Sequence, residues 1–286
     1  MPAPLVVGVD GSGPSLRAVD WAADEAALRG LPLRIVYASM WERYEGPAPA
    51  PGIGAPSGKA SGEDILRGAE LRARCHRAGL RVTTAVVPEE PEYTLIHESR
   101  AATVVVVGTR GRGGLAEALL GSVSLTVAAH ADCAVVVVPD GGDTDDDPPR
   151  TGIVVGTAGT PTPALRFAYE AARRRREPLT AIRAWRCPSH DTADHPLLAG
   201  EPERLHEERA AGQLDTALAD APADVELRRR TLEGPAGKVL PDASREAALL
   251  VIGRRRPAHP GPRIGRVAHR VLHHSHCPVA IVPDGA

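Results

Sequence analysis

The first 140 residues alternate between short apolar runs and longer segments in which apolar residues recur every three or four positions. Strands that alternate with helices are typical of a parallel sheet covered by helices on both faces. Such sheets bind ligands beyond the carboxyl ends of their strands. The pattern predicts strands at 5–10, 33–38, 81–87, 103–108 and 134–138, and helices at 15–29, 62–78, 90–100 and 122–130.

The second half of the chain repeats the first. Ile153–Gly156 matches Leu5–Gly8 at an offset of 148 residues, and Leu249–Gly253 matches Val104–Gly108 at an offset of 145. The small drift in offset indicates short loop deletions within one duplicated α/β unit. The acidic, Pro- and Gly-rich stretch between the halves is typical of a linker. The sequence predicts domains at 1–140 and 151–286, joined by a linker at 141–150.

Composition narrows the classes of partner. The formal net charge of −2 provides no global positive field, so we expect no nucleic-acid binding. No apolar run reaches the roughly 20 residues that a membrane helix needs, and we expect no membrane contact. The four cysteines contain no C-x-x-C pair, and the start of the sequence has no secretory pattern. Both features favour a cytoplasmic location. No metal site is predicted.

The candidate chemistry lies where two predicted strands end. Asp10 ends the first strand, the glycine-rich segment 108–114 follows the fourth, and Gly121 begins the last helix of the unit. Successive amides in a glycine-rich loop form a nest for anions, and a helix start favours phosphate. The hydroxyls of Ser122 and Ser124 add possible donors, and charge-assisted contacts can come from Arg110 or Arg112.

The spacing G-x2-G-x9-G-[S/T], formed by Gly108, Gly111 and Gly121-Ser122 after an N-terminal VGVDGS, resembles the ATP-binding branch of the universal stress protein superfamily. The resemblance implies two tandem Rossmann-like domains of the adenine nucleotide alpha hydrolase-like type. Each would be a five-stranded parallel sheet with helices on both faces. It also implies a stress-responsive regulator that forms a homodimer and binds ATP or another adenine nucleotide, with or without Mg²⁺.

The resemblance also implies which residues bind ATP. Gly8 and Asp10 would lie beside the nucleoside, Ala38 near the adenine, and Val123 close by. The full set of implied binding residues is Gly8, Val9, Asp10, Ala38, Gly108, Thr109, Arg110, Gly111, Arg112, Gly113, Gly114, Gly121, Ser122, Val123 and Ser124.

The second half departs from this pattern. Ala158 stands where the first half has Asp10, and Arg266 replaces Ser122. Arg256 occupies the position of Gly111, where a bulky side chain keeps the backbone from a phosphate. We therefore expect nucleotide binding in the first domain and a degenerate site in the second.

Two other functions remain open at this point. The chain has no P-loop lysine and no obvious catalytic base beside the glycine-rich segment, which favours binding over turnover. A slow ATP hydrolase is one alternative. A scaffold or interaction protein that needs no nucleotide is the other.

Overall fold

A computed structural model describes residues 2–40, 61–111, 120–141, 150–187, 201–254 and 264–284. The chain divides into two compact units, Met1–Asp140 and Gly141–Ala286. Within the described residues no helix combines the length and apolar character needed to cross a bilayer. The predicted binding residues Arg112, Gly113 and Gly114 lie outside the described residues, as do most of the predicted linker and Arg256.

The first unit alternates strand and helix, as predicted. Its helix α1 begins two residues earlier than the periodicity indicates, because Pro14 suits the first turn of a helix. In order the elements are β1 (Leu5–Val9), α1 (Gly13–Arg29), β2 (Leu33–Ala38), α2 (Gly62–His76), β3 (Val82–Val87), α3 (Pro91–Glu98), β4 (Val104–Gly108), α4 (Ser122–His130) and β5 (Ala134–Val138).

The strands of the first unit pair in the order β3-β2-β1-β4-β5, and every pair is parallel. The chain runs outward from β1 to β3, then crosses back to β4. Because parallel crossovers are right-handed, α1 and α2 lie on one face of the sheet, and α3 and α4 lie on the other. Contacts between α1 and α2, and between α3 and α4, agree with this arrangement. The direction of winding reverses between β1 and β4.

The second unit has the same winding. Its strands pair in the order β10-β9-β6-β7-β8, again all parallel, so the predicted fold of two Rossmann-like units is confirmed. The elements are β6 (Ile153–Gly156), α5 (Pro163–Arg175), β7 (Leu179–Trp185), α6 (Glu201–Ala217), β8 (Leu227–Glu233), α7 (Ala236–Ala243), β9 (Leu249–Arg254), α8 (Arg266–His274) and β10 (Val279–Pro283).

Small aliphatic residues form the interior of both units. In the first, β4 is buried along its whole length, and α1 turns a row of buried alanines toward the sheet. Ser12 caps α1 by accepting the Ser15 amide, and Gly30 ends the helix in the left-handed conformation with φ of 64°. The Ser12 cap fixes the start of α1 directly beyond the carboxyl end of β1, and the Gly30 cap fixes its end.

Candidate functional site

A cavity of about 590 Å³ opens where β1 and β4 end, at the point where the winding reverses. Its described lining comes from the ends of β1, β2 and β4, from α3, and from the start of α4. This is the position in which open parallel sheets bind their ligands. Its volume lies within the range of about 300–1,000 Å³ that small-molecule sites occupy.

The cavity brings together most of the residues predicted from the sequence. Thr109 does not line it: this residue is 5% exposed, and its amide donates to Val138 O over 3.0 Å. The predicted residues that do line it are Gly8, Val9, Asp10, Ala38, Gly108, Arg110, Gly111, Gly121, Ser122, Val123 and Ser124.

Asp10 is fixed at the start of α1. Its Oδ1 accepts two hydrogen bonds from Ser12, from the amide over 3.0 Å and from the hydroxyl over 2.6 Å. The positive end of a helix dipole favours a carboxylate there. Gly111 lies against the same carboxylate, since a Cβ built on Gly111 would be 2.6 Å from Asp10 Oδ2. A larger residue at position 111 would therefore have to displace the Asp10 carboxylate from its present position.

The start of α4 forms the opposite wall. The N-cap residue, Gly121, has no side chain to cap the helix, so amides of the first turn are left without intrahelical partners. The Gly121 amide donates to Thr109 O over 2.6 Å and closes the base of the loop between them. The Ser124 hydroxyl donates to Gly108 O over 2.6 Å, so its proton already holds the end of β4. Ser122 is exposed, and its hydroxyl donates to Glu92 Oε1 on α3 over the longer distance of 3.4 Å.

Arg110 supplies the positive charge in the described lining. Its Nη2 lies 2.8 Å from Asp140 Oδ2, and Asp140 also pairs with Arg17 on α1. All three side chains are about one-third exposed or less, so solvent screens the pairs only in part. Burial, followed by the nearby charges of Arg72 and Arg110, lowers the pKa of Arg17. Arg110 is thus held at the cavity edge by a carboxylate at the end of the unit.

The cavity lining also contains residues that were not predicted from the sequence, most of them apolar. Val36 precedes Ala38 by two positions in β2 and faces the same side, a period that could have identified it. Pro91 and Leu95 are four residues apart on α3 and share a helical face, but nothing in their spacing points toward the glycine-rich segment. The missed lining residues are Ser15, Val36, Pro91, Leu95, Val107 and Leu120.

The corresponding loop of the second unit is built differently. Ala158 provides no carboxylate, and the turn is closed instead by the Gly159 amide, which donates to Thr157 Oγ1 over 3.2 Å. Arg266 is the first residue of α8 and is exposed. These differences leave the second unit without the carboxylate that organises the first cavity.

Comparison with known proteins identifies the family. The sequence model of the universal stress protein family matches residues 1–139 and again residues 150–283. Universal stress protein Rv2005c of Mycobacterium tuberculosis is 32% identical over 292 residues, which cover 97% of this chain and 96% of the relative. Universal stress protein Rv1996 of the same species is 31% identical over 312 residues, with 97% and 94% covered.

Two solved structures share the fold at 16% identity. One is a universal stress protein from Archaeoglobus fulgidus, with a TM-score of 0.63 and coverage of 99% of this chain and 96% of that one. The other is a functionally unknown protein, PA1789, from Pseudomonas aeruginosa, with a TM-score of 0.64 and coverage of 99% and 93%. With two matches to the family model that together span nearly the whole sequence, the chain belongs to the universal stress protein family.

Proposed function

We propose that the first unit binds an adenine nucleotide, ATP in particular, and that the protein acts as a stress-responsive regulator. The observation that supports this is that the 590 Å³ cavity has both an apolar lining and a polar lining of Arg110 and the start of α4. The apolar side suits a base, and the amides at the start of α4 together with Arg110 suit phosphates.

Asp10 sets the direction of the nucleotide. A carboxylate repels phosphate but accepts hydrogen bonds from ribose hydroxyls. The ribose would therefore lie at Asp10, with the base toward Ala38 and Leu95 and the phosphates toward Gly111 and the start of α4. The resemblance to the ATP-binding branch gives the same order. Gly111 lies close to Asp10, so its backbone would contact the nucleotide between the ribose and the phosphates.

Any Mg²⁺ would be carried mainly by the phosphates and by water. In the described lining Asp10 is the only carboxylate, and its Oδ1 already accepts two hydrogen bonds from Ser12. Mg²⁺ commonly binds proteins through one or two carboxylates plus substrate phosphates. The metal would supply charge neutralisation of the phosphates, and the protein would hold the nucleotide through Arg110 and backbone amides.

The ionisable side chains of the described lining favour binding over rapid hydrolysis. A general base must reach the water that attacks the terminal phosphate. Asp10 is engaged by Ser12 and lies on the ribose side of the proposed pose. We propose further that the protein is cytoplasmic and forms a homodimer. Light scattering of the purified chain would test the homodimer.

The direct test is calorimetric titration of ATP into the wild type and into Asp10→Asn. The variant keeps the shape of the side chain but loses the charge that Ser12 and the ribose recognise, and we expect affinity to fall by about tenfold to a hundredfold. The matched control is Asp132→Asn. Asp132 precedes β5, at the amino end of the sheet, and pairs only loosely with Arg100 at 3.5 Å.

Equal loss in the two variants would contradict the site, as would wild-type protein that binds no ATP. Phosphate release by the wild type well above the rate of Asp10→Asn would favour the slow hydrolase instead.

A further inference from the structure

A second cavity, of about 360 Å³, lies in the second unit at the carboxyl ends of β7 and β8. Its described lining contains the last residues of β7, one face of α6, and the segment 234–236 that leads into α7. On α6 the lining positions include His206, Arg209 and Gln213, spaced as one helical face requires. The volume is near the lower end for small-molecule sites.

The lining is strongly basic. Arg186 and His206 contribute to it together with Arg209 and Arg183, and no carboxylate occurs among the described lining residues. Arg183 is held in place: its Nη2 donates to Gln213 Oε1 over 2.8 Å, and its Nη1 donates to Thr157 O over 3.4 Å. The other two arginines are exposed on either side of the cavity, one at the end of β7 and one on α6.

The start of α7 adds backbone donors to this cavity. Its N-cap residue, Pro235, makes no side-chain cap, and the amides of Ala236 and Gly237 have no intrahelical partner. Pro235 and Ala236 both line the cavity. The positive end of the helix dipole therefore acts on the same space as the arginines, which favours a phosphate group.

The internal repeat shows that the charge here is specific to the second unit. In the sheet register Ala38 faces Val87, and Ala184 faces Leu232, which aligns the two edges residue by residue. On this alignment Tyr37 and Met40 become Arg183 and Arg186, while the acidic pair 89–90 becomes Gly234-Pro235. At these four positions the first unit thus has two carboxylates and no arginine, and the second unit has two arginines and no carboxylate.

We propose that this cavity binds a small anion through a diphosphate group, with Arg186 and Arg209 on either side and the start of α7 donating amide hydrogen bonds. The guanidinium fork matches the oxygens of a phosphate, and the site needs neither Asp10 nor the glycine-rich segment. The proposal is independent of nucleotide binding in the first unit. It gives the second unit a ligand of its own.

The test is calorimetric titration of inorganic pyrophosphate into the full chain. We expect binding by the wild type and about a hundredfold weaker binding by Arg186→Gln/Arg209→Gln, roughly tenfold for each charge-assisted contact removed. The control with the same change in net charge is Arg204→Gln/Arg228→Gln. These arginines are exposed and lie outside the lining.

A second variant gives the second unit the carboxylate that the first unit has at the corresponding position. Pro235 has φ of −68° and ψ of 129°, close to the −65° and 136° of Glu90 at the start of α3, so Pro235→Glu fits the backbone. We expect it to abolish pyrophosphate binding with little change in melting temperature. Gly111→Arg, which places a bulky side chain in the first-unit cavity, should retain the pyrophosphate binding that Arg186→Gln/Arg209→Gln removes, so the two proposals can fail separately.

Absence of binding by the wild type would overturn the proposal. So would equal loss in the two double variants, or full binding by Pro235→Glu. In the Gly111→Arg protein, ADP that binds more tightly than pyrophosphate would identify a nucleotide as the source of the diphosphate. Equal or weaker binding of ADP would identify the free diphosphate. Either result supports the site only if Arg186→Gln/Arg209→Gln also weakens the binding of that ligand.

Discussion

Each unit contains the same kind of tight contact between a strand glycine and a helix leucine, and the contact in the first unit borders the 590 Å³ cavity. A Cβ built on Gly8 would lie 2.8 Å from Leu95 Cδ1, and a Cβ built on Gly156 would lie 2.7 Å from Leu240 Cδ1. Carbon atoms pack best at about 3.5–4.0 Å, so an added methyl group displaces either leucine by roughly 1 Å. The leucines are 4% and 3% exposed, so neither moves freely.

Both substitutions should therefore lower stability. Overpacking of a close-packed interior costs about 1–3 kcal/mol. For units of this size that corresponds to a fall in melting temperature of roughly 3–10 °C. We expect thermal unfolding to show a lower melting temperature for both Gly8→Ala and Gly156→Ala.

Their effects on ATP should differ. Leu95 lines the first-unit cavity beside Gly8, so its displacement narrows the space proposed for the nucleoside. We expect about tenfold weaker ATP binding by Gly8→Ala, equivalent to about 1.4 kcal/mol, and unchanged binding by Gly156→Ala. Titration of both variants at a temperature well below unfolding separates affinity from stability. Equal loss of affinity in both would refute this reasoning, and so would a Gly8→Ala protein that binds ATP as the wild type does.

Three further predictions concern single side chains. Burial raises the pKa of Cys277 to about 12, so at neutral pH a thiol reagent should label exposed Cys75 in the native protein but Cys277 only after unfolding. Burial, followed by the charges of His269 and His274, lowers the pKa of His273 in the folded protein. The stability that neutral His273 contributes is therefore present above the unfolded pKa of about 6.5 and is lost as the pH falls through the folded pKa. His273→Gln should reduce the fall in melting temperature between about pH 7.5 and 5, and an unchanged pH profile would contradict this. The buried Thr109 hydroxyl has no hydrogen-bond partner in the described structure, so Thr109→Val should unfold at the same or a higher temperature; a fall of several degrees would mean that the hydroxyl is paired.

The alternation of elements could be predicted because a parallel sheet buries its strands on both faces. Runs such as Val104–Val107 carry no polar residue, and the helices between them show a clear period. The duplication strengthened the prediction, since each strand appears twice in the same order. Asp10 and Gly111 could be proposed as neighbours because both follow strands whose carboxyl ends meet at one edge.

The rest of the cavity depends on packing, which leaves little trace in local sequence. Leu95 reaches the site because α3 crosses the sheet from β3 to β4 and passes the end of β1, a consequence of strand order alone. The engagement of Ser124 with Gly108 O likewise depends on how closely α4 approaches β4. A motif identifies which residues are available, but only the tertiary structure shows which of their hydrogen-bonding atoms are already used.

The pairing of Arg110 with Asp140 has a thermodynamic consequence. Asp140 is the last residue of the first unit, directly before the segment that leads to the second. A phosphate that binds Arg110 in place of Asp140 would remove one of the two arginines that hold Asp140 at the end of the first unit. Linkage is reciprocal, so any group that competes with Arg110 for Asp140 would change the affinity of the cavity for a phosphate by the same factor by which the phosphate changes its binding. Occupancy of the cavity would therefore change how firmly the two arginines hold the end of the first unit.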